Sequence, residues 1–158
     1  MILATHALIG AAIGSKIKNP WLIIPVALAV HYFLDTFRHG EYFDERTATI
    51  KNTYKKVALD LSVASVIILS FIYFEKLNFA AIRNILIGSF FSLLPDSLTL
   101  INYWKPEIKI FAKIKEFHTW AHMVINKIPK HAPERQWKLK NATNDILFSV
   151  LAILLLFI

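Results

Sequence analysis

The stretch His31-Tyr32-Phe33-Leu34-Asp35-Thr36-Phe37-Arg38-His39 closes an apolar run that begins at Trp21, and its reading decides the fold. The run spells a helix over 21–37, with Pro25 in its first turns, where proline is best tolerated. Residues four apart share a helical face, so His31, Asp35 and His39 are expected as one stack at the helix end. A carboxylate in hydrocarbon costs roughly 2.5–3.5 kcal/mol on insertion scales, so it calls for a partner or a ligand. Histidine with carboxylate suits zinc and neighbouring divalent ions.

The surrounding chain has the same character. Its 158 residues are 56% hydrophobic, with a mean hydropathy of +0.48. That is too apolar for an ordinary soluble domain and short enough for one unit, a single membrane-embedded helical domain over 1–158. The absence of cysteine excludes disulfides, thiolate zinc sites and cysteine nucleophiles, leaving nitrogen and oxygen to hold any metal. The net charge of +7 fits basic residues that set topology and meet anionic head groups. Membrane lipids, rather than nucleic acid, are the expected partner.

Five apolar runs, 2–17, 21–37, 57–74, 79–94 and 146–158, read as about five transmembrane helices in an all-α polytopic protein. No Lys or Arg precedes the first, so it lacks the charged start of a cleaved signal peptide and is expected to be retained. Gly10 and Gly14 form a GxxxG pair there, flanked by Ala7, Ala11 and Ser15, which suits close helix packing. His6 falls in its first two turns. Asp60 sits one turn inside the third run, and Pro95 is expected to disrupt the fourth helix beside Asp96. The fifth run reaches the usual ~20 residues only if its helix starts near Lys138.

The stretch 106–128 is different, because its apolar and polar residues are sorted by angle. Ile110, Ile114, Phe117, Ala121, Val124, Ile125 and Ile128 fall on one side of a helix, opposite Lys109, Lys113, Glu116, Thr119 and Lys127. This predicts an interfacial amphipathic helix, with His118 and His122 at the edge of its apolar face and turned toward protein.

Alternating spans carry His6, His31, Asp35, His39, Asp60, Asp96, His118 and His122 toward one face. None lies toward the other. Polar residues that merely satisfy one another would be expected near both faces, so this one-sidedness points to a single site. It suits an enzyme at a membrane surface better than a transporter, whose ionisable groups sit near the midplane.

Thr5-His6, His31-x-x-x-Asp35, Leu93-Leu94-Pro95-Asp96 and the late histidine cluster resemble the predicted membrane-bound metal-dependent hydrolases of bacterial and archaeal inner membranes. The histidine and aspartate pattern of that family is loosely similar to zinc-dependent phospholipase C. The resemblance implies that His6, His31, Asp35, Asp96 and His118 or His122 are metal ligands. The family's Leu-Pro-Asp is often followed by a second Asp and here by Ser97-Leu98; its Gly-His-Arg-Gly-x-Thr-His segment is replaced by Phe117-His118-Thr119-Trp120-Ala121-His122.

The expected activity is hydrolysis of a phosphoester, on a lipid or another amphiphile, at the cytoplasmic face of the inner membrane. The expected cofactor is one or more divalent ions, zinc first, with manganese or magnesium as alternatives. Asp60 or Glu41 would take a proton from the attacking water, and Arg38 and Lys55 would hold the phosphate. A divalent metal carrier needs the same ligands plus a polar route across the membrane, for which only Ser62, Ser65 and Ser70 are at hand. Orientation follows from charge. Of the 18 Lys and Arg, only Lys16, Lys18, Lys76 and Arg83 lie outside the loops 38–56 and 102–140, so the positive-inside rule puts those two loops in the cytoplasm. Reporter fusions at Arg46 and Lys18 are expected to report opposite compartments, Arg46 inside; Arg46 outside would reverse the orientation.

Overall fold

The computed structural model describes residues 1–40, 50–123 and 138–158, and all regular structure among them is helical. The order is α1 Leu3–Lys16, α2 Pro20–Asp35, α3 Ile50–Phe74, α4 Phe79–Trp104, α5 Lys109–Met123 and α6 Thr143–Phe157, with one 3₁₀ turn at Leu139–Asn141. Local chemistry sets several boundaries. Asn19 and Asn78 cap α2 and α4 by accepting from the backbone N–H of Trp21 and Ala81. α3 closes with Lys76 in the left-handed region (φ 48°) and the Leu77 N–H bonded back to the Ile72 carbonyl.

The helices alternate in direction about α1, which packs on α4 most extensively and also on α6, α3 and α2. The start of α1 meets Asp60 of α3 and Asp145 of α6, while its end meets Asn84 near the start of α4. Hence α1, α3 and α6 leave one end of the bundle, and α2 and α4 arrive there. α5 packs on α4 and α2.

The GxxxG face of α1 is the tightest contact. A Cβ on Gly10 would fall on the Gly88 backbone and lie 2.7 Å from Ser92 Cβ; one on Gly88 would collide with the Gly10 carbonyl. The backbones of α1 and α4 therefore touch, which is the packing small residues permit. Ser89 Oγ donates to the Ala7 carbonyl across this seam, and Asn84 Nδ2 donates to the carbonyls of Ile17 and Lys18 as α1 ends.

Several boundaries differ from the sequence reading. α2 stops at Asp35, where Thr36 Oγ1 donates to the Phe33 carbonyl and the Thr36 and Phe37 N–H groups bond three residues back. His39 is thus not stacked on the helix with His31 and Asp35. α4 does not break at Pro95 but continues two turns beyond Asp96, its fully buried proline held by packing against neighbouring helices. α3 begins at Ile50, so Asp60 lies about three turns inside it rather than one. α6 has 15 residues and follows a 3₁₀ turn, so it does not start near Lys138 and stays below the usual ~20. Two helices, Thr53–Phe74 and Phe79–Tyr103, are long and apolar enough to cross a membrane; α2 and α6 are apolar but shorter.

Polar side chains share the interior with an apolar core that includes Leu8, Ala11, Ile68 and Ile85, and large apolar side chains also face outward. Leu59, Val66, Leu69, Phe90, Leu147 and Leu154 are exposed, whereas Thr5, His6, His31, Asp35, Ser92, Asn102 and Asp145 are buried. In the most apolar stretches of α3 and α4 only 17% and 33% of residues are buried, far from the core helix of a soluble protein. Because the α1–α4 contact has no room for a methyl group, Gly88→Ala is expected to destabilise the protein by about 1–3 kcal/mol. Ser97→Ala, on the exposed side of α4, is expected to change stability by less than about 0.5 kcal/mol, both read by thermal unfolding in detergent.

Candidate metal centre

Asp35 is the centre of the polar end of the bundle, with only 1% of its surface exposed. Around Oδ2 lie the Nε2 atoms of His118 at 2.8 Å, His31 at 3.1 Å and His122 at 3.5 Å. Oδ1 faces His6 Nε2 at 3.1 Å and the Met1 amino group. Asp96, one turn beyond Ser92 on α4, brings Oδ1 to 3.4 Å from His118 Nε2 and Oδ2 to 3.8 Å from His6 Nε2. Two groups of donors are close enough to hold a metal ion: His31, Asp35, Asp96 and His118, and Asp35, His39 and His122.

The hydrogen bonds on the far side of each ring decide which nitrogen faces the centre. His31 Nδ1 donates to the Ser92 carbonyl at 2.7 Å, and His39 Nδ1 donates to the Phe37 carbonyl at 2.7 Å. Neither Nε2 has a hydrogen-bond partner among the described residues, although both are buried. The Thr99 hydroxyl donates to the Pro95 carbonyl at 3.0 Å, so it accepts from His118 Nδ1, 2.9 Å away. His31 and His118 therefore present Nε2 to Asp35, with Nδ1–H anchored to a carbonyl or hydroxyl, the arrangement that orients metal-binding histidines, and His39 is anchored at Nδ1 in the same way. An Nε2 at 2.8–3.1 Å from a carboxylate oxygen is satisfied when a proton or a metal ion lies between the two atoms. In His118 a proton can serve. Burial alone would lower its pKa, but the hydrogen bond to Asp35 and the charge of Asp96 outweigh burial and raise it. Burial pushes His39 down to about 3 and His122 well below the usual histidine range, so these two stay neutral at physiological pH.

The sequence-derived residues fall into distinct places. His6, His31, Asp35, His39, Asp96, His118 and His122 come together, with His6 approaching the two carboxylates from the α1 side and in tilted ring contact with His31 at 4.1 Å between centroids. Asp60 accepts from the Ala4 N–H at 3.2 Å, and Asp145 from the Ile2 N–H at 2.9 Å. Both serve the N-terminal turn of α1, where free N–H groups and the helix dipole favour carboxylates. Arg38 is exposed and donates to the buried Asn141 at 2.8 Å, and Lys55 is exposed on α3. Glu41 lies outside the described residues, as do the last positions of the amphipathic stretch, from Val124 onward.

Three residues escaped the sequence reading: Ser92, Thr99 and Asp145. Ser92, Asp96 and Thr99 are spaced four and three apart, a signal that is visible only if the helix is carried through Pro95. No protein-family model, curated protein or solved structure matches the chain. Thr99 anchors His118 without reaching the centre itself, so Thr99→Val is expected to weaken zinc or manganese binding about 10–100-fold while leaving stoichiometry unchanged. Ser97→Ala, which removes a hydroxyl bonded only to its own helix, is expected to have no effect in the same chelator-competition titration.

Proposed function

We propose that the protein is a membrane-bound metal-dependent hydrolase of the inner-membrane group its motifs resemble, acting on a phosphoester of a lipid or other amphiphile at the cytoplasmic leaflet. The observation that carries this reading is the pair of buried imidazoles, His31 and His118, each anchored at Nδ1 and with Nε2 at 3.1 and 2.8 Å from the buried Asp35 carboxylate. His31, Asp35, Asp96 and His118 would hold the ion, zinc foremost given an all nitrogen and oxygen donor set. A divalent ion supplies a water of lowered pKa, from 15.7 to about 7, and polarisation of a phosphoryl oxygen.

The chain's own groups divide the remaining tasks. Asp96 and His122 keep 19% and 14% of their side chains exposed, so water and substrate enter on their side, whereas Asp35 is closed off. Asp60 is engaged with the α1 backbone and so is poorly placed to accept the proton of the attacking water. An amphiphile is favoured by the surroundings. Lys109 and Lys113 are exposed along α5, while Ile110, Phe117 and Trp120 of the same helix project outward at 62%, 48% and 57% exposure. Basic residues beside exposed aromatic and aliphatic ones suit an anionic head group with its acyl chains. The exposed apolar surfaces of α3, α4 and α6 support embedding in a bilayer, with α2 and α6 as shorter apolar partners to the two long helices.

Protein reconstituted in anionic-lipid vesicles with zinc, manganese or magnesium is expected to release phosphate or a phosphorylated head group, and Asp35→Asn to abolish the release. Activity unchanged in Asp35→Asn would discard the mechanism. Absence of turnover on any phospholipid by fully metallated protein would favour a metal carrier instead.

A further inference from the structure

We propose that the centre takes two divalent ions, with Asp35 shared between them and His39 and His122 holding the second. The proposal rests on the metal reading above and deepens it. The first reason is the number of donors. His31, Asp35, Asp96 and His118 already amount to a full tetrahedral set for one zinc ion, and a catalytic ion normally uses three protein ligands and keeps a position open. His39 and His122 lie outside that set, and with Asp35 they make a group whose ligand atoms are all within 4.8 Å of one another.

The second reason is the way His39 is held. The residue is 6% exposed, and its Nδ1 donates to the carbonyl of Phe37, two residues earlier. Its Nε2 therefore keeps a lone pair, buried and without a hydrogen-bond partner among the described residues. Leaving such an acceptor unsatisfied is costly, and a ligand that accepts the lone pair removes the cost. His39 leaves the helix after Asp35, so its inward orientation does not follow from the α2 repeat; the Phe37 bond creates it.

The third reason is the layout of the rings. His31, His118, His122 and His39 form a row with successive centroids 5.2, 4.7 and 4.9 Å apart, and the two ends of the row belong to different donor groups. The Nε2 atoms of His31, His118 and His122 all lie against Asp35 Oδ2, at 3.1, 2.8 and 3.5 Å, and those of His118 and His122 are 3.1 Å apart, so the two donor groups meet at this one oxygen, with His31 and His39 at the outer ends of the row. Shared carboxylates are the usual means of holding two ions at one centre, and a pair can bind both the attacking and the leaving oxygen of a phosphoester.

The experiment uses the full chain in detergent, stripped with a chelator and titrated with manganese(II), with stoichiometry from elemental analysis and the electron paramagnetic resonance spectrum of the bound metal. Wild type is expected to bind two ions per chain and to show an exchange-coupled spectrum. His39→Ala and His122→Ala are each expected to bind one ion and to show an uncoupled spectrum, and His39→Gln, which keeps the side chain's bulk, to behave like His39→Ala. A wild-type stoichiometry of one overturns the proposal whatever the variants do. So does retention of two coupled ions in both alanine variants, or loss of both ions from a variant that melts at the wild-type temperature. The two readings fail separately: a two-ion protein that hydrolyses no phosphoester refutes the hydrolase alone, and a one-ion protein that does hydrolyse refutes the second ion alone.

Discussion

A carboxylate at the polar end of an apolar bundle must be compensated, and the burial of Asp35 is the constraint on which the rest of the site depends. Its surface is almost wholly withdrawn from solvent, so each lone pair it presents needs a donor or a cation. The compensation is distributed over the fold. α1 brings His6, α2 brings His31 one turn earlier on the same face, and α5 brings His118 and His122. α4 supplies little to Asp35 directly, but its Ser92 carbonyl and Thr99 hydroxyl turn His31 and His118 toward it. Removing α1 or α5 would leave the carboxylate undercompensated at a position withdrawn from water.

The glycine seam between α1 and α4 is coupled to this centre. Gly10 lies against Gly88 and Ser92, and the same Ser92 presents its carbonyl to His31. A side chain at Gly10 would separate the helices at the level where α4 aims the imidazole. Close backbone packing is thus both the main adhesive between the two helices and the spacer that sets the depth of His6 relative to Asp96. Asp60 and Asp145 add to this positioning from the other side, since their bonds to the Ala4 and Ile2 N–H groups hold the start of α1.

α5 gives the centre its outward character. One edge carries the buried His118 and Ala121, a second carries exposed lysines, and a third carries Phe117 stacked on Trp120 at 5.5 Å and in edge contact with Tyr32 at 4.8 Å. A single amphipathic helix therefore joins the ligands to a surface that is both cationic and apolar.

What the sequence by itself determined was whatever local periodicity can express. The His31–Asp35 and His118–His122 pairs follow from a spacing of four on a helix, the small-residue face of α1 from Gly10 and Gly14, and the clustering of polar groups at one end from the alternation of helices. Tertiary structure decided the rest, because most of the deciding contacts join residues far apart in the chain or lie beyond the end of a helical repeat. Packing on neighbouring helices carried α4 through Pro95 and so brought Thr99 to His118. A bond to Phe37 returned His39 to the centre after α2 had ended, which no helical repeat could indicate. Asp60 resembled a proton acceptor by residue type and position, yet the start of α1, 56 residues away in sequence, engages it as a helix cap. Residue type and spacing identify which groups can act together; the order of packing determines which backbone atoms fix their rings, and so which way their lone pairs point.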